Sequence, residues 1–317
     1  MINDWLLNPI EFFADPSRRL FFGFLLSSML IIFISSFINK KKWSRQRFRL
    51  IFLSPKYWLT RSTCIDLSFL LGNTALRTLL IIPLFGSHLV GAIWVARTLQ
   101  SHFDTPPNLA LPWIVIASLF TLTFFITEDL SRFLLHKLMH SNAFLWRIHT
   151  THHSAETLTP LTLHRVHPIE MALYYTRGFI VFSLVSGVFI YFSGKRLSAL
   201  DILGVDALGF LFNMLGANLR HSHIWISFGK LEKWFISPAQ HQIHHSNNPA
   251  HFDKNFGSAL SIWDRLSGSW VPATHYQKLR FGVNHPLKKT RITHAIWRTF
   301  KKRLRFKDKI INVAKIS

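Results

Sequence analysis

The apolar residues of this chain are gathered into long runs instead of being dealt out at helical or strand spacing. "LFFGFLLSSMLIIFISSFI", residues 20–38, contains no charge, and neither does "LALPWIVIASLFTLTFFIT", residues 109–127. Each is long enough, as a helix, to cross a hydrocarbon layer of roughly 30 Å. Residues 65–96 are apolar apart from Asp66, Arg77 and His88. That pattern predicts one spanning helix near 65–84 followed by a re-entrant piece. "GFIVFSLVSGVFIYFS" at 178–193 and "LDILGVDALGFLFNMLGANL" at 200–219, with Asp201 and Asp206, read as a hairpin in the membrane. The competing reading makes 178–219 two buried helices of a soluble core, since both runs are near the lower length limit for a span. The expected fold is an all-α integral membrane protein of about four transmembrane helices with a cytoplasmic helical cap. Three parts are expected: an N-terminal span and basic segment over 1–60, a central domain over 61–272, and a basic tail over 273–317.

The first run is too long for the apolar stretch of a signal peptide, and acidic Glu11 and Asp15 precede it, so it is expected to be a retained span. Charge then orients the chain. Residues 40–61 hold eight Lys or Arg and no acid; residues 278–317 hold thirteen and one Asp. The positive-inside rule puts both in the cytoplasm, and puts the short, nearly neutral "RTLQSHFDTPPNL" on the far side. The formal net charge of +22 does not imply nucleic acid, because the basic residues flank apolar runs, where they meet anionic headgroups. The inner membrane of a bacterium is the expected location. The lone Cys64 excludes an internal disulfide and any cysteine-based zinc or iron–sulfur site.

Histidines cluster just beyond the apolar runs. "HKLMH" places His136 and His140 one helical turn apart, with Asp129 two turns ahead on the same face. "HTTHH" gives His149, His152 and His153, and "HQIHH" gives His241, His244 and His245, at the same spacing. His221 and His223 follow the last apolar run. Neutral imidazole is the commonest metal ligand. Eight to ten of them are too many for one ion and suit two, with coordination positions left open. Iron, zinc, copper and nickel all accept such a set, and spacing does not choose among them. The scattered His88, His102, His251, His275, His285 and His294 read as surface or internally satisfied residues.

The three histidine boxes, in this order, resemble the integral-membrane fatty acid hydroxylase and sterol desaturase superfamily. "RVHPIE" at 165–170, "HSHI" at 221–224 and "NFGSALSIWDRLSGSWV" at 255–271 are similar to further segments of its bacterial members. The likeness covers roughly 60–272. It implies two non-haem iron ions, with zinc an acceptable substitute in isolated protein, dioxygen as co-substrate, and oxidation of an unactivated C–H bond in a lipid. It implies that the eight box histidines are catalytic ligands, and it makes His221, and less directly His223, further ligands. Lys137 stands where many members have Arg, and His167 falls in a matched motif without a clear ligand role.

Attack on a saturated C–H bond needs a redox-active metal with an open position, in a water-poor setting that apolar helices supply. Ligand imidazoles usually donate their second N–H to a carboxylate or carbonyl. Asp129, Glu128, Glu170 and Asp264 are the nearest carboxylates in sequence. No Gly-x-Gly-x-x-Gly fingerprint and no cytochrome-b5-like segment is present, so electrons are expected from a separate redox protein, which a basic surface could dock. The alternative is a non-enzymatic metal transporter or sensor. Transporters set their ligands near mid-membrane, whereas these lie at span ends.

Overall fold

The computed structural model describes residues 13–16, 18–38, 44–103, 111–193 and 207–283. Within them the regular structure is helical: α1 (Phe22–Ile38), α2 (Arg45–Phe52), α3 (Arg61–Leu76), α4 (His88–Phe103), α5 (Trp113–Ser141), α6 (Ala143–His153), α7 (Pro168–Ser193), α8 (Ala207–Met214), α9 (Pro238–His244) and α10 (Ile262–Ser267). The expected tail beyond residue 283, the two acids Asp201 and Asp206, and residues 104–109 of the far-side connection lie outside the described residues.

Among the described residues, three stretches are long and apolar enough to cross a membrane: Arg61–Phe103, Trp113–Ser141 and Pro168–Ser193. They form one bundle. α5 runs antiparallel to α7, with Phe120 against Phe189, Phe124 against Phe182 and Glu128 paired with Arg177. α4 runs in the same direction as α7, with Gly91 against Ser183 and Gly187 against Val95. A Cβ on Gly187 would come within 2.8 Å of the Ala92 carbonyl, so the two backbones meet there because the side chain is absent.

This arrangement corrects the expected re-entrant piece. α3 passes through a π turn, Arg77–Ile81, to Gly86, whose φ of 77° kinks the helix. The chain then continues onward as α4 instead of turning back. Asn73 meets the Val166 carbonyl (2.8 Å), the Tyr175 hydroxyl meets the Gly86 carbonyl (2.7 Å), and α4 follows further along α7. The expected hairpin also changes. Its first arm begins earlier, at Pro168, and presents Ile180, Leu184, Val188 and Phe192 outward, so it is not a buried core helix. The described part of its second arm is only α8, eight residues, after which Gly216 turns the chain into the 3₁₀ turn Ala217–His221. The first run is α1, a seventeen-residue apolar helix. Phe24, Ser28, Ile32 and Ser36 form its buried stripe, and Ile32 packs with Leu219 and Ile226.

α5 is 29 residues long, about 44 Å at the helical rise. It outruns a hydrocarbon layer of roughly 30 Å, and its last turns carry His136 and His140 beyond the apolar run. α6, α9 and the intervening turns pack around that projecting end.

Candidate metal centre

Each histidine-bearing element has a local reason to stop where it does. Asn142 ends α5 and starts α6, its side chain accepting from the backbone N–H groups of Phe144 (3.0 Å) and Leu145 (3.1 Å). This sharp turn lays α6 across the end of α5. Ser237 caps α9 through a reciprocal capping box with Gln240, and Pro238 fills the first turn.

Nine histidines converge in two groups. His136, His140, His149, His153 and His244 form one; His152, His221, His241 and His245 form the other. Within each group one nitrogen per residue lies within 4.8 Å of all the others. The repeated His-x-x-His-His therefore has a geometric meaning. On a helix, positions i and i+4 flank one line, while i+3 points about 100° away from i+4. His149 and His153 go to the first group and His152 to the second. In the other copy His241 and His245 go to the second group and His244 to the first. The rings of His153 and His245 stack across the divide, centroids 4.5 Å apart.

The first group is braced from behind. Nδ1 of His136 donates to the Phe256 carbonyl, Nδ1 of His244 to the Lys254 carbonyl, and Nδ1 of His149 to Glu170, each at 2.8 Å. His140 Nδ1 lies 3.4 Å from Asp253. With Nδ1 as donor, Nε2 keeps its lone pair, and Nε2 of His140, His149, His153 and His244 is buried without a hydrogen-bond partner. In the second group, His221 Nε2 lies 3.1 Å from those of His241 and His245 and 3.3 Å from that of His152. Ligand nitrogens about 2.0–2.1 Å from a metal are spaced by about 2.9–3.4 Å. Orphaned inward lone pairs and this spacing both fit a metal ion in each group. Burial holds His152, His153, His241 and His245 well below the ordinary imidazole range and pushes His221 and His244 down to about 3. These rings are neutral at pH 7, the form a metal requires.

Other sequence candidates fall elsewhere. His223 joins neither group; it is exposed, its ring 4.0 Å from that of Tyr57. Glu170 touches a ring directly, but Asp129 and Asp264 do not. Asp129 accepts from the N–H groups of Ala259 (2.7 Å) and Leu260 (3.0 Å) and from the Trp263 indole (2.9 Å). Asp264 accepts from the N–H groups of Phe256 (2.8 Å) and Gly257 (2.7 Å). Both hold the loop whose carbonyls brace His136 and His244. Glu128 pairs with Arg132 and Arg177, and His167 caps α7 by accepting from Ile169 N–H at 3.2 Å.

Two residues absent from the sequence reading of the site matter here. Asn255 sits at φ 55°, in the left-handed region that Asn tolerates, and binds Gln240 and Val271; it aims the flanking carbonyls at His244 and His136. Asp66 is fully buried and holds the Arg165 guanidinium at 2.6 Å, with Thr162 at 2.7 Å. The Arg165 carbonyl in turn faces His152 Nδ1 at 3.3 Å. A lone acid in an apolar run is the signal that could have singled out Asp66.

Residues 121–269 match the sequence model of the fatty acid hydroxylase family, a range that contains all nine histidines. Among curated proteins the chain is similar to alkylglycerol monooxygenase of Danio rerio, 30% identical over 173 residues, covering 55% of this chain and 34% of that one. An ornithine lipid hydroxylase of Rhizobium tropici is 27% identical over 175 residues, covering 55% of this chain and 46% of the relative. A very-long-chain aldehyde decarbonylase of Oryza sativa subsp. japonica is 28% identical over 189 residues, covering 58% and 67%. The chain thus spans about a third of the length of the alkylglycerol monooxygenases it matches. No solved structure matches it significantly. By its family match, its relatives and its histidine boxes, the chain carries a fatty acid hydroxylase domain over residues 121–269 and is similar to enzymes of that superfamily.

Proposed function

We propose that this protein is a membrane-bound oxygenase that hydroxylates or desaturates a lipid, using two iron ions, dioxygen and electrons from a separate redox protein. The observation that carries the reading is the pair of histidine groups at one end of an apolar helical bundle. His136, His140, His149, His153 and His244 would hold one ion, and His152, His221, His241 and His245 the other. Bound iron supplies the activation of dioxygen and the redox change that attack on a saturated C–H bond demands. The chain's own part is to orient and to shield. Glu170, Phe256 and Lys254 fix the tilt of three rings through their Nδ1 atoms. The surrounding burial keeps His152, His153, His221, His241, His244 and His245 neutral and limits water, which protects an oxidising centre. The apolar flanks of α4, α5 and α7 offer an acyl chain or sterol a dry approach to the same end.

The basic segment at 40–61 favours the cytoplasmic side for the histidine groups. Reporter fusions after Ile38, Gln100 and Ser317 should read inside, outside and inside; an outside reading at Ser317 would move the centre to the other face. The activity is tested by mass spectrometry of lipid extracts from cells expressing the protein or its His241→Ala variant. The intact protein should produce a lipid that has gained one oxygen or lost two hydrogens, and the variant should not. Identical extracts, with two iron ions per chain confirmed, would remove the oxygenase reading.

A further inference from the structure

The 3₁₀ turn Gly229–Lys233 and the residues after it form a loop built around one buried carboxylate. Glu232 accepts from Ser227 Oγ (2.7 Å), Phe228 N–H (3.2 Å), Ser237 Oγ (2.7 Å) and Ala273 N–H (2.7 Å). Its carbonyl receives Ser261 Oγ (2.6 Å) and the Trp270 indole (2.8 Å). With Glu232 drawn inward, its neighbours Lys230, Leu231, Lys233, Trp234 and Phe235 are all exposed. α10 lies beside them. Ser261 N–H donates to the Trp234 carbonyl (2.9 Å), and the Arg265 guanidinium sits 5.9 Å from the Trp234 ring centroid. Leu266 is 78% exposed, the barest large apolar side chain described.

The surface so formed has a one-sided chemistry. Both carboxylates of the two segments, Glu232 and Asp264, are buried. What faces out is four large apolar side chains, Leu231, Trp234, Phe235 and Leu266, interleaved with Lys230, Lys233 and Arg265. Its height along the bundle is fixed as well. Phe235 bridges to Leu260, and Leu260 N–H and Trp263 both bind Asp129. Asp129 stands two residues past the uncharged run of α5 that ends at Thr127. The patch is therefore level with the end of a spanning helix, where hydrocarbon gives way to headgroups.

We propose that this patch is a monolayer anchor: Leu231, Trp234, Phe235 and Leu266 enter the leaflet beneath the cap, and Lys230, Lys233 and Arg265 bind anionic lipid headgroups. Trp, Phe and Leu at the boundary, flanked by Lys and Arg, are the side chains an interfacial segment uses. Anionic headgroups supply the charge that three unopposed cations call for. An acidic redox protein would meet the same cations, but the four apolar tips at this height favour lipid. The inference rests on α5 crossing the membrane and is independent of the metal chemistry.

The test uses full-length Trp234→Cys protein in a Cys64→Ser background, labelled with bimane and reconstituted in phosphatidylcholine vesicles with about a third phosphatidylglycerol. The label should be quenched by lipids carrying a spin label near the headgroup. It should be several-fold less sensitive to aqueous iodide than a label at Glu156→Cys, an exposed position just past α6. Removing Lys230, Lys233 and Arg265 together, each to Gln, should abolish the difference between vesicles with and without phosphatidylglycerol. Unchanged metal content certifies the fold of each variant. Iodide quenching at 234 equal to that at 156, without lipid quenching, would overturn the anchor. So would iodide protection that arises only when an acidic redox protein is added, which would make the patch a partner surface.

Discussion

The two histidine groups use the same kind of ligand on shared helices, yet they are supported differently. In the group of five, His149 leans on the Glu170 carboxylate, and His136 and His244 lean on carbonyls at 2.8 Å. In the group of four, Nδ1 of His241 and His245 is buried without a partner, and His152 has only the longer contact to Arg165. Charge differs in the same sense. The first group has a carboxylate in contact. In the second, burial lowers the proton affinity of His221 and His241, and the buried Arg220 guanidinium beside them adds to this and would oppose a cation. Identical ligands thus give unequal sites, because what stands behind a ring sets its basicity and aim. The group of four should hold its ion more weakly.

The harshest way to sharpen this contrast is to remove a ligand from each side. His149→Ala and His241→Ala should both abolish turnover, but they should differ in metal. His241→Ala takes one of four ligands and should lower metal analysis from two equivalents toward one. His149→Ala, taking one of five, should retain more. Equal losses would erase the ranking.

A gentler pair removes only the support. Glu170→Gln should cost the five-histidine group about 10- to 100-fold in metal affinity. Asp66→Asn, which frees Arg165, should weaken the four-histidine group by a comparable factor through His152. Chelator titration followed by metal analysis separates the two. If Asp66→Asn left both affinities unchanged, the path through Arg165 would carry no weight.

Acid should reveal the same order. His221 and His244 are pushed down to about 3 in the folded chain, against an unfolded value of about 6.5. The unfolded chain therefore binds more protons between these values. The stability is fully present above about 6.5 and is lost as pH falls toward 3. Stepwise dialysis below pH 6.5 should release one equivalent before the other, the one held by His221 leaving first.

The smallest effect belongs to His223→Ala and His275→Ala. Both residues are exposed and outside the groups, so activity should stay within about twofold, since surface changes away from special contacts are usually mild. A large loss at His223 alone would return it to the centre.

Much of this centre could be read in the chain because its ligands follow short-range rules. Spacings of three and four put His149, His152 and His153 on one helical side whatever surrounds them. Their division between two groups could not be read, since it depends on how α6 crosses α9. The braces were harder still. Lys254 and Phe256 act through backbone carbonyls, which carry no residue identity, and only the left-handed Asp253 and Asn255 on either side of Lys254 mark the place among the described residues. Among the membrane segments, the uncharged run of α5 showed itself, but its extension to Ser141 depends on packing of the histidine face. The end of the run near residue 84 read as the start of a re-entrant piece and is only a kink at Gly86, because small residues on α4 and α7 let the helices run on together.

The interleaved ligand sets also constrain biosynthesis. His136 and His149 leave the ribosome roughly a hundred residues before His244 and His245, so neither group is complete until the apolar helices that precede α9 have been made. If the groups hold metal as proposed, loading is a late event, and each ion would close a long loop whose entropic cost grows only slowly with length. On the proposed iron chemistry, a cell short of iron would hold chains whose α9 lacks the ions that would tie it to α5 and α6.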